Sequence, residues 1–199
     1  MYHSLAGPPA VEKATPSPLP SVPLDSTHAP KVAVALVFTP LKVIRMSALA
    51  AAPPPVRLLS GVPQAALPGV YASVDALVQP SRGEGWGRPH VEAMAMGLPI
   101  VATNWSGPTA FLTPHNGFPL PYTHLAPVPD GAFKGHLMAE PDGRALAALL
   151  GAIAADPAGA YARGARARAD MLQRFSLDAV AALVAGHAER IAAAQRADL

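Results

Sequence analysis

Two glutamates, Glu84 and Glu92, frame a glycine-rich turn and a short helix, with seven residues between them. They lie in Ser81-Arg82-Gly83-Glu84-Gly85-Trp86-Gly87-Arg88-Pro89-His90-Val91-Glu92-Ala93-Met94-Ala95-Met96-Gly97-Leu98-Pro99. Apolar runs flank the stretch, Ala76-Leu77-Val78 before it and Pro99-Ile100-Val101-Ala102-Thr103 after it. A strand, a glycine-rich turn and a helix in this order make a phosphate or nucleotide pocket at the carboxyl end of a parallel strand. Gly83, Gly85 and Gly87 permit positive φ and bring backbone N–H groups close to a ligand.

The elements that must position this turn follow from the pattern on either side. Asp75 to Gln79 and Ile100 to Thr103 read as strands, and Pro89 to Met96 as a helix that starts on proline and is closed by Gly97. Upstream, Lys31 to Phe38 reads as a buried strand, Leu41 to Ala52 as a helix stopped by Pro53-Pro54-Pro55, Val56 to Leu59 as a strand, and Gln64 to Ser73 as a short helix. Downstream, Gly107 to Leu112 reads as a short helix and Phe118 to Leu120 as a strand after the Asn116-Gly117 turn. Residues 121–141 read as a long loop bearing Pro, Gly and His. Three helices close the chain: Asp142 to Ala155 with a Leu146/Leu149/Leu150/Ile153 stripe, Ala158 to Phe175 with Arg163, Arg166, Arg168 and Arg174 at polar positions, and a last one capped by Ser176. Strands alternating with helices predict an α/β domain with a Rossmann-like, mostly parallel sheet flanked by helices.

Composition narrows the function classes. The chain has 199 residues, 51% hydrophobic and 14% charged, with much of the apolar excess in alanine, and its net charge is +2. That charge, without arginine–aromatic interleaving, argues against a nucleic-acid partner. The absence of cysteine excludes disulfides, thiolate zinc sites and cysteine nucleophiles. Scattered His115, His124 and His136 have no metal spacing, so no metal is expected. Residues 1–30, rich in Pro, Ser and Ala, read as a disordered tail, leaving 31–199 as the folded domain. The N-terminus lacks signal-peptide blocks, and Lys42, Arg45 and Pro40 interrupt the longest apolar window, so the expectation is a cytoplasmic protein with no transmembrane span.

At the central motif the chain resembles the group 1 (family 4) retaining glycosyltransferases. The resemblance rests on Tyr71-Ala72-Ser73-Val74-Asp75-Ala76, Pro80-Ser81-Arg82-Gly83-Glu84-Gly85-Trp86-Gly87, Glu92-Ala93-Met94-Ala95, Gly97-Leu98-Pro99 and Asn104-Trp105-Ser106-Gly107-Pro108. It is to their C-terminal, donor-binding domain, a single GT-B half, and covers about residues 56–190. Gly135-His136, Ala139-Glu140-Pro141-Asp142 and the Arg-rich helix before Phe175-Ser176 agree with it. The resemblance implies that Glu84 is catalytic, contacting donor-sugar hydroxyls near the reacting carbon. It implies that Gly85, Trp86, Gly87 and Arg88 meet sugar and diphosphate, and that Glu92 accepts from the ribose. The resemblance further implies a UDP- or GDP-linked sugar as donor substrate, used without a cofactor or metal, and leaves the acceptor unknown.

Some features depart from that family. The Gly-Arg … Lys-Gly pattern that places basic side chains against the diphosphate is missing, although Lys42 and Arg45 follow the first strand. An acceptor-binding half is missing as well, which leads to the expectation of a fragment or a chain working with a separate acceptor-domain chain. Met138 stands where an aromatic is common. The alternative function is a non-catalytic half-domain serving as an interaction or regulatory module. A third, an epimerase-like enzyme, lacks its Gly-x-Gly-x-x-Gly turn. His90 reads as an exposed helix residue, Asp75 as structural, and Ser106 as outside any nucleophile elbow. Trp86 reads equally as a pocket wall or as a staple to the core. The arginines of 163–174 read as a solvated face, with contact to a membrane surface or an acidic partner as the other reading.

Overall fold

The computed structural model describes residues 32–37, 41–46, 56–59 and 61–197. Three strands, β1 (Val32–Val37), β2 (Leu41–Met46) and β3 (Val56–Leu58), precede a 3-10 turn at Gln64–Ala66 that runs into α1 (Leu67–Ala72). Then come β4 (Ala76–Gln79), α2 (Arg88–Ala95), β5 (Ile100–Thr103), a 3-10 turn at Gly107–Ala110, and β6 (Phe118–Leu120). The hairpin strands β7 (Tyr122–Pro127) and β8 (Leu137–Pro141) lead to α3 (Gly143–Ala155), α4 (Pro157–Phe175) and α5 (Leu177–Ala197).

The main sheet has the order β3-β2-β1-β4-β5-β6. β1, β4, β5 and β6 run parallel, while β2 pairs antiparallel with both β1 and β3. The chain moves outward from β1 to β3 and then returns to place β4 on the other side of β1. The switch point of this α/β sheet therefore lies between β1 and β4, where ligands bind outside the carboxyl ends of the strands. β4 leads directly into the glycine-rich turn.

β4 and β5 are buried on both faces, which is why they read as continuous apolar runs. Leu77, Ile100 and Ala102 face Ala93 and Met94 of α2 and Ala167 and Met171 of α4. Val78 and Val101 face the opposite way, toward Phe118, Leu120, Ile153 and Ala160. The Leu146, Leu149 and Leu150 stripe of α3 packs on that second cluster as expected. Asp142 and Asp156 cap α3 and α4, each accepting from backbone N–H groups of the first turn.

Four sequence expectations need correction. Leu41–Met46, expected as the start of a helix, is a strand paired with β1 from Val37↔Leu41 to Val32↔Met46. Its Val43 and Ile44 are β-branched, and an antiparallel return costs far less chain than a parallel crossover. Residues 121–141 hold a paired hairpin, with Tyr122↔Pro141 and Pro127↔Leu137 bounding the ladder, in place of a structureless loop. Of the three glycines in the turn, only Gly87 has positive φ. The Gly107–Leu112 helix is a shorter 3-10 turn. The 1–30 tail lies outside the described residues. Among the described residues no single helix is long and apolar enough to cross a membrane.

Candidate functional site

The site is assembled by the turn between β4 and α2 and by the segment that leaves β5. Glu84 is tethered along its backbone to that second segment: its N–H donates to Ser106 Oγ (2.9 Å) and its carbonyl accepts from Gly107 N–H (3.0 Å). The two backbones approach so closely that a Cβ on Gly107 would lie 2.7 Å from Trp86 Cα and 2.8 Å from Glu84 O. Only glycine fits there. Ser106, with φ 55° and ψ −140°, is the one non-glycine residue with positive φ among those described. Such strain persists where surrounding contacts over-determine it. Here the Ser106 Oγ bond to Glu84 and the Thr109 hydroxyl donating to Ser106 O (2.7 Å) do so.

The Glu84 side chain is held from below. Gln79, at the end of β4 and 5% exposed, donates from Nε2 to Glu84 Oε1 at 2.7 Å. Glu92, on the second turn of α2, accepts from the Tyr71 hydroxyl at Oε2 (2.9 Å) and from Arg88 at Oε1 (3.3 Å). Burial, and then the neighbouring Glu92, push the Tyr71 hydroxyl well above its usual pKa, so it remains a donor. Arg88 is otherwise exposed. Gly87 N-caps α2 in the left-handed region at φ 98°, and no side chain among the described residues caps this helix. The positive end of α2 is thus open to an anion.

Trp86 packs on Phe111 and Phe175, with ring centroids 5.2 and 5.5 Å away, yet remains 42% exposed. It staples the turn to the core and still offers an open face. The hairpin closes another side: Ala139 N–H donates to Arg82 O (2.9 Å), and Arg82 pairs with Glu140. Asp75 accepts from Tyr161 OH at 2.8 Å, in keeping with its structural reading.

Two polar readings are overturned. His90 is fully buried, not exposed, and neither ring nitrogen has a hydrogen-bond partner among the described residues. It packs under Gly87, whose hypothetical Cβ would lie 2.7 Å from Nδ1, and 6.4 Å from the Phe111 ring. Desolvation lowers its pKa, opposed in part by the charge of Glu84 and the backbone of Gly87. The helical period places position 90 on the same face as Ala93 and Met94, and that signal could have found it. The α4 arginines are not simply a solvated face: Arg174 is exposed, but Arg163, Arg166 and Arg168 are half-buried. Arg163, Arg166, Arg168 and Arg174 donate to the carbonyls of Gly117, His115, Ala95 and Ala110. They tie α4 to the segments around the site.

All six expected site residues, Glu84, Gly85, Trp86, Gly87, Arg88 and Glu92, thus lie on one turn and the first two turns of α2. Sequence reasoning missed Gln79 and Tyr71, and it missed that Ser106 and Gly107 anchor the turn. A polar side chain ending the apolar run Ala76-Leu77-Val78 was the available signal for Gln79.

An α/β sheet with a glycine-bearing turn and an uncapped helix N-terminus at its switch point is an arrangement suited to holding an anion. Residues 36–132 match the family described as glycosyl transferases group 1. Over that stretch the chain is similar to the group 1 glycosyltransferases. It is 45% identical over 49 residues to the O-antigen chain mannosyltransferase B of Escherichia coli, an alignment covering 25% of this chain and 13% of that protein. Among solved structures it is similar to a sucrose-phosphate synthase from Thermosynechococcus elongatus, with 27% identity, a TM-score of 0.48, and 63% of this chain covered against 27% of the other. It is also similar to Anabaena HepE, solved in complex with UDP and glucose, with 24% identity, a TM-score of 0.49, and 63% and 30% covered. The chain therefore spans well under half the length of each of these proteins.

Proposed function

We propose that this chain is the donor-binding half of a retaining GT-B glycosyltransferase and binds a UDP- or GDP-linked sugar for transfer to an acceptor. The observation that carries the reading is the fixed turn. Glu84 is tethered through both backbone groups and its carboxylate, three residues before the N-cap of α2 and eight residues ahead of Glu92.

Each residue then has a role its surroundings support. The leaving group is a nucleoside diphosphate, so negative charge develops on its oxygens as the glycosidic bond breaks. Fixed backbone N–H groups of Gly85 to Arg88, aided by the helix dipole, stabilise that charge without reorganising water. Glu92 accepts from the ribose hydroxyls with the lone pairs left by Tyr71 and Arg88. Glu84 accepts from sugar hydroxyls and orients the reacting carbon. The open face of Trp86 borders the sugar. The reading requires no metal or cofactor.

Thermal shift and calorimetry with UDP, GDP, UDP-glucose and GDP-mannose test this. A ligand that binds the native state raises Tm. The expected result is a rise with at least one nucleotide, lost in Glu92→Ala. No binding of any of the four would sink the proposal. The missing basic pair favours a second reading, a non-catalytic module. Sugar transfer by the chain, alone or with a separate acceptor-domain chain, would exclude it.

A further inference from the structure

Gln79 is out of place by the logic of a core strand. The three preceding residues of β4 are apolar and fully buried, and Gln79 itself is 5% exposed. An aliphatic side chain would fill this position without desolvating an amide. Gln79 instead carries a buried Oε1 with no partner among the described residues. A buried unpaired acceptor opposes folding. The offset is its single side-chain hydrogen bond among the described residues, Nε2 to Glu84 Oε1 at 2.7 Å. The amide orientation follows from chemistry, since a carboxylate accepts and only the nitrogen donates.

The consequence falls on Glu84. Its N–H and C=O are already fixed on Ser106 and Gly107, so its backbone needs nothing from Gln79. What Gln79 adds is the direction of the carboxylate. Oε1 is drawn back toward the end of β4, and Oε2 has no partner among the described residues. We propose that Gln79 is the positioning residue for Glu84, holding Oε1 so that Oε2 is presented to a hydroxyl of the donor sugar. This rests on the donor-domain reading above. It makes the polar end of β4 part of how the site recognises the sugar, separately from how it recognises the nucleotide.

The test compares the full chain with Gln79→Met, which keeps length and volume but cannot donate, and with Gln79→Leu. Calorimetry gives the Kd of UDP and UDP-glucose, and of GDP and GDP-mannose. The ratio within a pair isolates the contribution of the sugar. A hydrogen bond to a charged group corresponds to about tenfold in affinity or more. The expected result is that both variants lose about tenfold of the sugar contribution, keep nucleotide affinity, and melt at or above the wild-type Tm. In a Glu84→Ala background, Gln79→Met should have no further effect on the ratio, because the two side chains act as one unit. A retained sugar contribution in Gln79→Met, a wild-type ratio near one, or additive effects in the double variant would overturn the inference and leave the donor-domain reading standing. A fall of several degrees in Tm in both variants would also overturn it, as Gln79 would then be structural. Absence of binding by any nucleotide to the wild type would remove the donor-domain reading and this inference together.

Discussion

Helices α4 and α5 are both rich in alanine, and they do opposite things. α4 has 19 residues with four arginines, and α5 has 21 with two. α4 buries Ala160, Gly164, Ala167 and Met171, a stripe at helical spacing, and turns its arginines onto backbone carbonyls. α5 leaves Leu177, Val180, Leu183, Val184 and Ile191 exposed. The helix with more large apolar side chains is the one less buried. Small residues explain the inversion. At Gly164 a Cβ would lie 2.1 Å from Gly97 O, so α4 reaches the backbone that closes α2 only because no side chain intervenes. Close approach then brings Arg168 within reach of Ala95 O. Apolar content makes a helix willing to pack; the shape of its stripe decides where it does.

The contrast can be broken most strongly at Gly164. Gly164→Val should destabilise the fold by about 3 kcal/mol or more, because the obstructing atom is backbone and cannot swing away. Urea unfolding followed by circular dichroism measures it. Next is Arg168→Ala, which strands the Ala95 carbonyl and should cost about 1–3 kcal/mol in the same assay. A cost below half a kcal/mol would restore the solvated-face reading of α4.

α4 packs against α2, and α2 carries the buried His90. Its folded pKa lies below the ordinary 6.5, so between the two values the unfolded chain binds more protons. Stability should therefore rise with pH through that window and fall as the solution is acidified below about 6.5, by at most about 1.4 kcal/mol per pH unit from this group. His90→Leu should flatten the slope, as seen in Tm measured across pH 5 to 8. The smallest effect belongs to α5. Gly186 has only the tip of Arg190 near a Cβ, at 3.7 Å, so Gly186→Ala should stabilise by about 1 kcal/mol through helix propensity alone. The same residue type thus gives opposite signs on the two helices.

Much of the site was legible because it is local. The β4–turn–α2–β5 unit is contiguous, and its glycines, its proline near the start of α2 and Gly97 at the end are short-range signals. The helix expected over Leu41 to Ala52 gives way to a strand at Leu41–Met46, because six residues carry too little periodicity to separate the two states. The 121–141 hairpin was missed because its turn chemistry is spread over prolines and glycines that also suit a loop.

The residue order by itself determined the parallel strands, the turn with Glu84 and Glu92 around it, and the family that this turn resembles. Folding alone decided which polar groups serve one another. Ser106 and Gly107 meet Glu84 across 22 residues or more of chain, Tyr71 meets Glu92 across 21, and Arg168 meets Ala95 across 73. A hydrogen bond is set by angstroms between atoms, and no spacing along the chain encodes a distance across it. That is why the two glutamates were visible at once, while the groups that aim them were not.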